Sequence, residues 1–115
     1  MGNTTYDLST LEELAGGDED FIKGMVDAFL EHIPQQFKEL KRAKEEGKLR
    51  AMGEIAHKIK PNLDLFGLPH LGDVIREVEQ MGKNEVDDPA IEEKITFLDG
   101  ALKETFLELK ARQKL

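Results

Sequence analysis

Ile55-Ala56-His57-Lys58-Ile59-Lys60-Pro61-Asn62-Leu63-Asp64-Leu65-Phe66-Gly67 is the stretch from which both the fold and the chemistry of this chain are read. With Leu49 and Met52 just before it, Ala56, Ile59, Leu63 and Phe66 recur in steps of three and four. That spacing is the apolar stripe of an amphipathic helix packed in a bundle. A second row at the same spacing holds Gly53, His57, Lys60, Pro61 and Asp64. At about 100° per residue this row turns away from the stripe, so it is expected to face water. His57 is then an accessible, titratable imidazole with no side chain a turn before it and a cation a turn after it. Such a position suits an anion arriving from outside.

Working outward, Ser9 stands three residues before Glu12 as a capping box, and Leu8, Leu11 and Leu14 give a short apolar face. A short first helix is expected there, ending at Gly16-Gly17. Asp18 caps a long second helix reaching about Glu46, with Phe21, Met25, Phe29, Ile33, Phe37 and Leu40 in helical steps and Ile22, Val26 and Leu30 in support. Pro34 inside it is expected to bend it. The third helix runs from about Lys48 to Phe66, and Gly67 stops it. Pro69 opens a fourth, carried by Leu71, Val74, Ile75, Val78 and Met81 and ending at Gly82-Lys83-Asn84. Asp87-Asp88-Pro89 starts a fifth, traced by Ile91, Ile95, Leu98, Leu102 and Leu109. Sustained period-two alternation and hairpin turn signals are both missing. The expected fold is all-α, an antiparallel up-and-down four-helix bundle with a short extra N-terminal helix, forming a single domain over residues 1–115.

The chain of 115 residues is long enough to bury a core without disulfides or metals, and it has no cysteine. Sixteen Lys+Arg against twenty-four Asp+Glu give a formal charge of −8, which repels a phosphate backbone and argues against nucleic acid. No apolar run is long enough to span a membrane and no basic-then-apolar leader opens the chain, so a cytoplasmic protein without direct membrane contact is expected. The apolar stripes can all be consumed within one bundle, so a monomer is expected. The ends look clean, and excision from the C-terminal end of a longer protein stays open.

Glu54-Ile-Ala-His57 has the Glu-x-x-His spacing of di-iron bundles, but only one copy exists and it lies off the apolar stripe. No metal site is expected. Neither a Gly-x-Ser-x-Gly elbow nor a glycine-rich phosphate loop is present. What remains is one exposed imidazole flanked by lysines, and imidazole nitrogen is a competent nucleophile toward phosphorus. That points to a phosphoryl acceptor, although a histidine on a helix surface, taken alone, is more often a bystander. His32, near Pro34 and without a row of cations, and His70, in the first turn of the fourth helix, are read as structural.

The string Ala56-His57-Lys58-Ile59-Lys60, followed by Gly67-Leu68-Pro69-His70-Leu71, resembles the Ala-His-x-Leu/Ile-Lys-Gly/Ser…Gly-x-x-x-Leu core of histidine-containing phosphotransfer (HPt) domains. Tyr6-Asp7-Leu8-Ser9, Leu14-x-Gly16-Gly17-Asp18, Phe21, Phe29 and Pro34 are similar to the start of bacterial members, so the likeness runs from residue 6 to about residue 83. It implies that His57 is the phosphoacceptor of a two-component phosphorelay. A receiver-domain aspartate would supply the phosphoryl group and another receiver would take it, with Mg²⁺ bound in the receiver and no cofactor intrinsic to this chain. A hybrid sensor histidine kinase is a further implied partner. Lys60 would stabilise phosphoryl charge. By its offset, Glu79 falls where many members place a polar residue that bonds the other imidazole nitrogen and leaves Nε2 to attack.

One departure is Pro61, where the family has Gly or Ser. It cannot donate the helical bond to the carbonyl of His57 and is expected to bend the helix while still admitting a receiver surface. Candidate partner contacts are Gly53, Lys58, Pro61, Asn62, Asp64, Leu65 and Gly67. Leu65 is open between contact and core. Asp64 is open between an electrostatic part and a solvated acid balancing Lys60. The rival reading is a non-catalytic module that docks a receiver or kinase, and acid-labile phosphate on His57 belongs only to the phosphocarrier.

Overall fold

The longest apolar repeat in the chain builds its longest element. The computed structural model describes residues 5–114, in which the helices are α1 Ser9–Ala15, α2 Glu19–Glu45, α3 Leu49–Leu65, α4 Pro69–Lys83 and α5 Ala90–Gln113. Residues 1–4 and 115, the two ends of the expected domain, lie outside the described residues. No strand occurs among the described residues. At about 1.5 Å per residue, the 27 residues of α2 account for most of the 44 Å long axis. Helix α3 packs on α2 and on α4, α4 on α5, and α5 closes back on α2, while α1 lies on α2. This closed ring of chain neighbours is the up-and-down bundle with its extra N-terminal helix.

The core follows the sequence stripes, with small rotations. Ile22, Val26, Phe29, Ile33, Phe37 and Leu40 of α2 meet Met52, Ala56, Ile59 and Leu63 of α3, the C-capping Phe66, and the apolar faces of α4 and α5, all buried. Phe29 stacks on Phe66 with ring centroids 4.2 Å apart and meets the edge of Phe106 at 6.1 Å. Phe21 does not join them and is 42% exposed, because the apolar arc of α2 is wider than the surface its neighbours cover and Ile22 and Val26 take its centre. Met25, Leu30, Val74 and Met81 sit half-buried at the edges of the same core.

Helix ends explain the turns. The Asp18 carboxylate accepts the Phe21 N–H at 3.2 Å and that of Asp88 accepts the Ala90 N–H at 2.8 Å, as expected of N-terminal caps. The first helix differs from expectation. Ser9 is its first helical residue and makes no capping bond from its side chain; the Asp7 carboxylate instead accepts the Ser9 N–H at 2.9 Å. Helices α2 and α3 end alike, with Lys48 N–H on Ala43 and Leu68 N–H on Leu63 at 2.9 Å each, around the left-handed Gly47 and Gly67. Helix α4 ends the same way, with Val86 N–H on Met81 at 2.9 Å, but its left-handed residue is Glu85 at φ 52°. Neither Pro34 nor Pro61 divides its helix.

Candidate functional site

Antiparallel packing of α3 on α4 brings the water-facing row of one against a polar row of the other. His57 Nδ1 lies 2.6 Å from Glu79 Oε2, and Lys60 Nζ donates to Glu79 Oε1 at 2.9 Å. Farther along, Arg76 donates to Asp64 at 2.7 Å. Glu79 is the inner member of the cluster, 17% exposed against 25% for Lys60 and 66% for His57. Burial acts to raise its carboxyl pKa, but the hydrogen bonds from Lys60 and His57 outweigh that and hold it below the ordinary value. Glu79 is therefore an anion at neutral pH and can only accept. In the neutral ring the proton then sits on Nδ1, and the lone pair is on Nε2.

Beside the ring lies an open depression of about 640 Å³, walled by Arg50, Glu54, Lys58 and Lys83 and floored by Gly53. Arg50 is drawn to Glu85 at 3.7 Å. The site edge is thus richer in cations than a chain of net charge −8 would lead one to expect. An imidazole with one nitrogen fixed by a carboxylate, its other nitrogen unprotonated and lysines nearby can act as a nucleophile toward an electrophilic anion.

A sequence model of the Hpt domain matches residues 24–112. The chain belongs to the Hpt domain family. Hpt domains are phosphocarrier modules of histidine phosphorelays and interact with receiver domains and kinases of two-component systems. The match runs through α5, beyond the residues on which the sequence motifs rested. No curated protein and no solved structure matches the chain. Among the described residues no helix is long and apolar enough to cross a membrane.

Within this Hpt domain the expected site residues divide. His57, Lys60 and Glu79 are brought together, and Lys58 and Pro61 are exposed alongside them. Gly53 is corrected: it was expected on the water-facing row, yet it is buried, because α4 covers that edge of α3 and the Gly53 backbone lies against Glu79, Gly82 and Lys83. Asp64 is exposed but pairs with Arg76, not Lys60, which is engaged by Glu79. Gly67 is half-buried beside Asp7, whose N–H donates to the Phe66 carbonyl at 3.0 Å, and a Cβ on Gly67 would meet the Asp7 backbone oxygen at 2.3 Å. Asn62 is half-buried, and Leu65 is half-buried against the core.

His32 is exposed, and His70 stands edge-on to Phe97 with centroids 5.4 Å apart, away from the Glu79 cluster. Among the described residues no group of three or more His, Cys, Asp and Glu is placed to hold a metal ion. Sequence reasoning missed Arg76, Gly82 and the cationic rim of Arg50 and Lys83. A signal was present, since Gly72, Arg76, Glu79 and Lys83 repeat at helical spacing on α4 as a polar counterpart to the His57 row.

Proposed function

We propose that this Hpt domain is a phosphocarrier in which Nε2 of His57 accepts a phosphoryl group from the aspartate of one receiver domain and passes it to another. The observation that carries this reading is the 2.6 Å contact between Nδ1 and the half-buried Glu79 carboxylate, on an imidazole that is otherwise two-thirds exposed. In the forward step the Nε2 lone pair attacks phosphorus, the P–O bond to the aspartyl carboxyl breaks, and the aspartate leaves as a carboxylate. No proton has to depart. The ring is left with phosphorus on Nε2 and hydrogen on Nδ1, a cation that Glu79 faces directly.

Lys60 directs one of its three donors to Glu79 and has two left for phosphoryl oxygens. Charge in such a transition state spreads over the equatorial oxygens, so a positioned cation is the help a protein can give. Lys58 is a further cation at the rim, and Pro61 and Asn62 complete the surface a receiver meets. The receiver contributes Mg²⁺ and most of the catalysis; this chain contributes the nucleophile and its orientation.

The test is phosphotransfer from a panel of phosphorylated receiver domains with Mg²⁺, comparing the wild type with His57→Gln. Acid-labile label on the wild type that is lost in His57→Gln is the expected result. No label from any receiver, with the chain folded and receiver binding unaffected by His57→Gln, overturns the phosphocarrier and leaves a docking module.

A further inference from the structure

Glycine is the weakest helix former after proline, yet α3 and α4 each carry one in mid-contact. Gly53 and Gly82 are both buried and face each other. A Cβ on Gly82 would lie 2.6 Å from Gly53 Cα, Gly53 N and the Leu49 carbonyl oxygen. A Cβ on Gly53 would lie 3.0 Å from the Glu79 oxygen and Lys83 nitrogen of the main chain. Every one of these atoms is backbone, so no side-chain rotation relieves the clash. Carbon atoms in contact rest about 3.5–4.0 Å apart, so a methyl on Gly82 separates the helices there by roughly 1 Å.

The site lies one turn away from this crossing. Gly53 precedes His57 by a turn on α3, and Gly82 follows Glu79 by a turn on α4. Lengthening the 2.6 Å Nδ1–Glu79 contact by about 1 Å takes it beyond the roughly 3.2 Å limit of a hydrogen bond. Glu79 is also held by Lys60, so a swing that follows the ring draws its carboxylate off the ammonium. We infer that Gly82 and Gly53 are positioning residues, whose backbone-to-backbone contact keeps α4 near enough to α3 for Glu79 to fix the proton on Nδ1 of His57 and leave Nε2 as the nucleophile. This inference deepens the phosphocarrier reading and rests on it.

The experiment is ¹⁵N NMR of the His57 ring in the unphosphorylated full chain, at a pH where the imidazole is neutral, joined to a double-mutant cycle in phosphotransfer. The wild type is expected to show one tautomer with the proton on Nδ1. Gly82→Ala is expected to move both ring nitrogens toward a tautomer mixture and to slow transfer about tenfold, a loss near one decade in the rate scale. In a Glu79→Ala background the same substitution should slow transfer no further. Gly53→Ala, with the milder contacts, should shift the nitrogens in the same direction by less, and it decides the matter if Gly82→Ala does not fold. Gly100→Ala in α5, where the added Cβ meets no side chain or neighbouring element within 4 Å, should leave the ring unchanged. Unmoved nitrogens in a folded Gly82→Ala, or equal slowing with and without Glu79, overturns the inference. Because the ring is read without phosphate, a wild type that shows the expected tautomer but takes no label refutes the phosphocarrier alone.

Discussion

Replacing Glu79 with alanine removes both acceptors that organise the site, and the structure allows the cost to be worked out in two parts. The first is orientation. The neutral ring has two tautomers and two ring flips, so fixing one of about four states is worth RT ln 4, roughly 0.8 kcal/mol. The second is charge. A carboxylate about 4 Å from the cationic phosphoimidazole is worth about 1 kcal/mol in water and about 4 kcal/mol at an effective dielectric of 20. His57 is 66% exposed, which places the value near the lower end. The sum, about 2 kcal/mol, predicts roughly thirtyfold slower transfer for Glu79→Ala. Glu79→Gln keeps an oxygen that can accept from Nδ1–H and loses only the charge, so about fivefold is expected from the remaining 1 kcal/mol. The assay is single-turnover transfer at saturating phosphorylated receiver. Alanine within twofold of wild type, or glutamine as slow as alanine, would refute this account of Glu79.

Three further outcomes are expected. The folded Glu79 carboxyl is held below its ordinary value near 4.5 by Lys60 and His57 against the opposing effect of burial, so its stabilisation is present above the unfolded value and is lost as pH falls through the folded one; the unfolding free-energy gap between wild type and Glu79→Gln in urea titrations should shrink with acid across that window. Glu85 holds a left-handed backbone at φ 52° where α2 and α3 use glycine, so Glu85→Gly should raise the urea midpoint by a stability gain of about 1 kcal/mol, the 3.7 Å pair with Arg50 being too exposed to offset it. Thr105 is fully buried, with its hydroxyl 2.6 Å from that of Thr5 and 3.1 Å from the Ala101 carbonyl; Thr105→Val should cost about 1 kcal/mol in chemical denaturation and loosen the tie between the N-terminal segment and α5.

Most of the bundle was legible because helical period is a property of one segment at a time. The stripes of α2 to α5 name nearly the whole core, and the caps at Asp18 and Asp88 and the stop at Gly67 follow from local chemistry. Misreadings arose where a residue admits two local roles. Ser9 fits a capping box on paper, but the chain places Asp7 within reach of the first free N–H and makes Ser9 helical. The fourth helix does end at Gly82-Lys83-Asn84, but the left-handed residue of that turn is Glu85, while Gly82 is still helical and buried. Composition does not distinguish a glycine that ends a helix from one that admits a neighbour.

The site was legible by angle and not by distance. Helical spacing puts Gly53, His57, Lys60 and Asp64 on one row, and they do share it, but the row is broader than the gap α4 leaves open. One edge of it is therefore covered and the other wet: Gly53 is buried, Lys60 is 25% exposed and His57 is 66% exposed. That gradient is what lets a single carboxylate reach Nδ1 from the covered side while the other face of the ring stays open. A row wholly in water would have no fixed tautomer, and a row wholly buried would admit no partner. Where along this gradient His57 falls depends on the separation of α3 and α4, which is set by atoms that Gly53 and Gly82 lack. A sequence pattern built on the side chains that are present carries no measure of that separation.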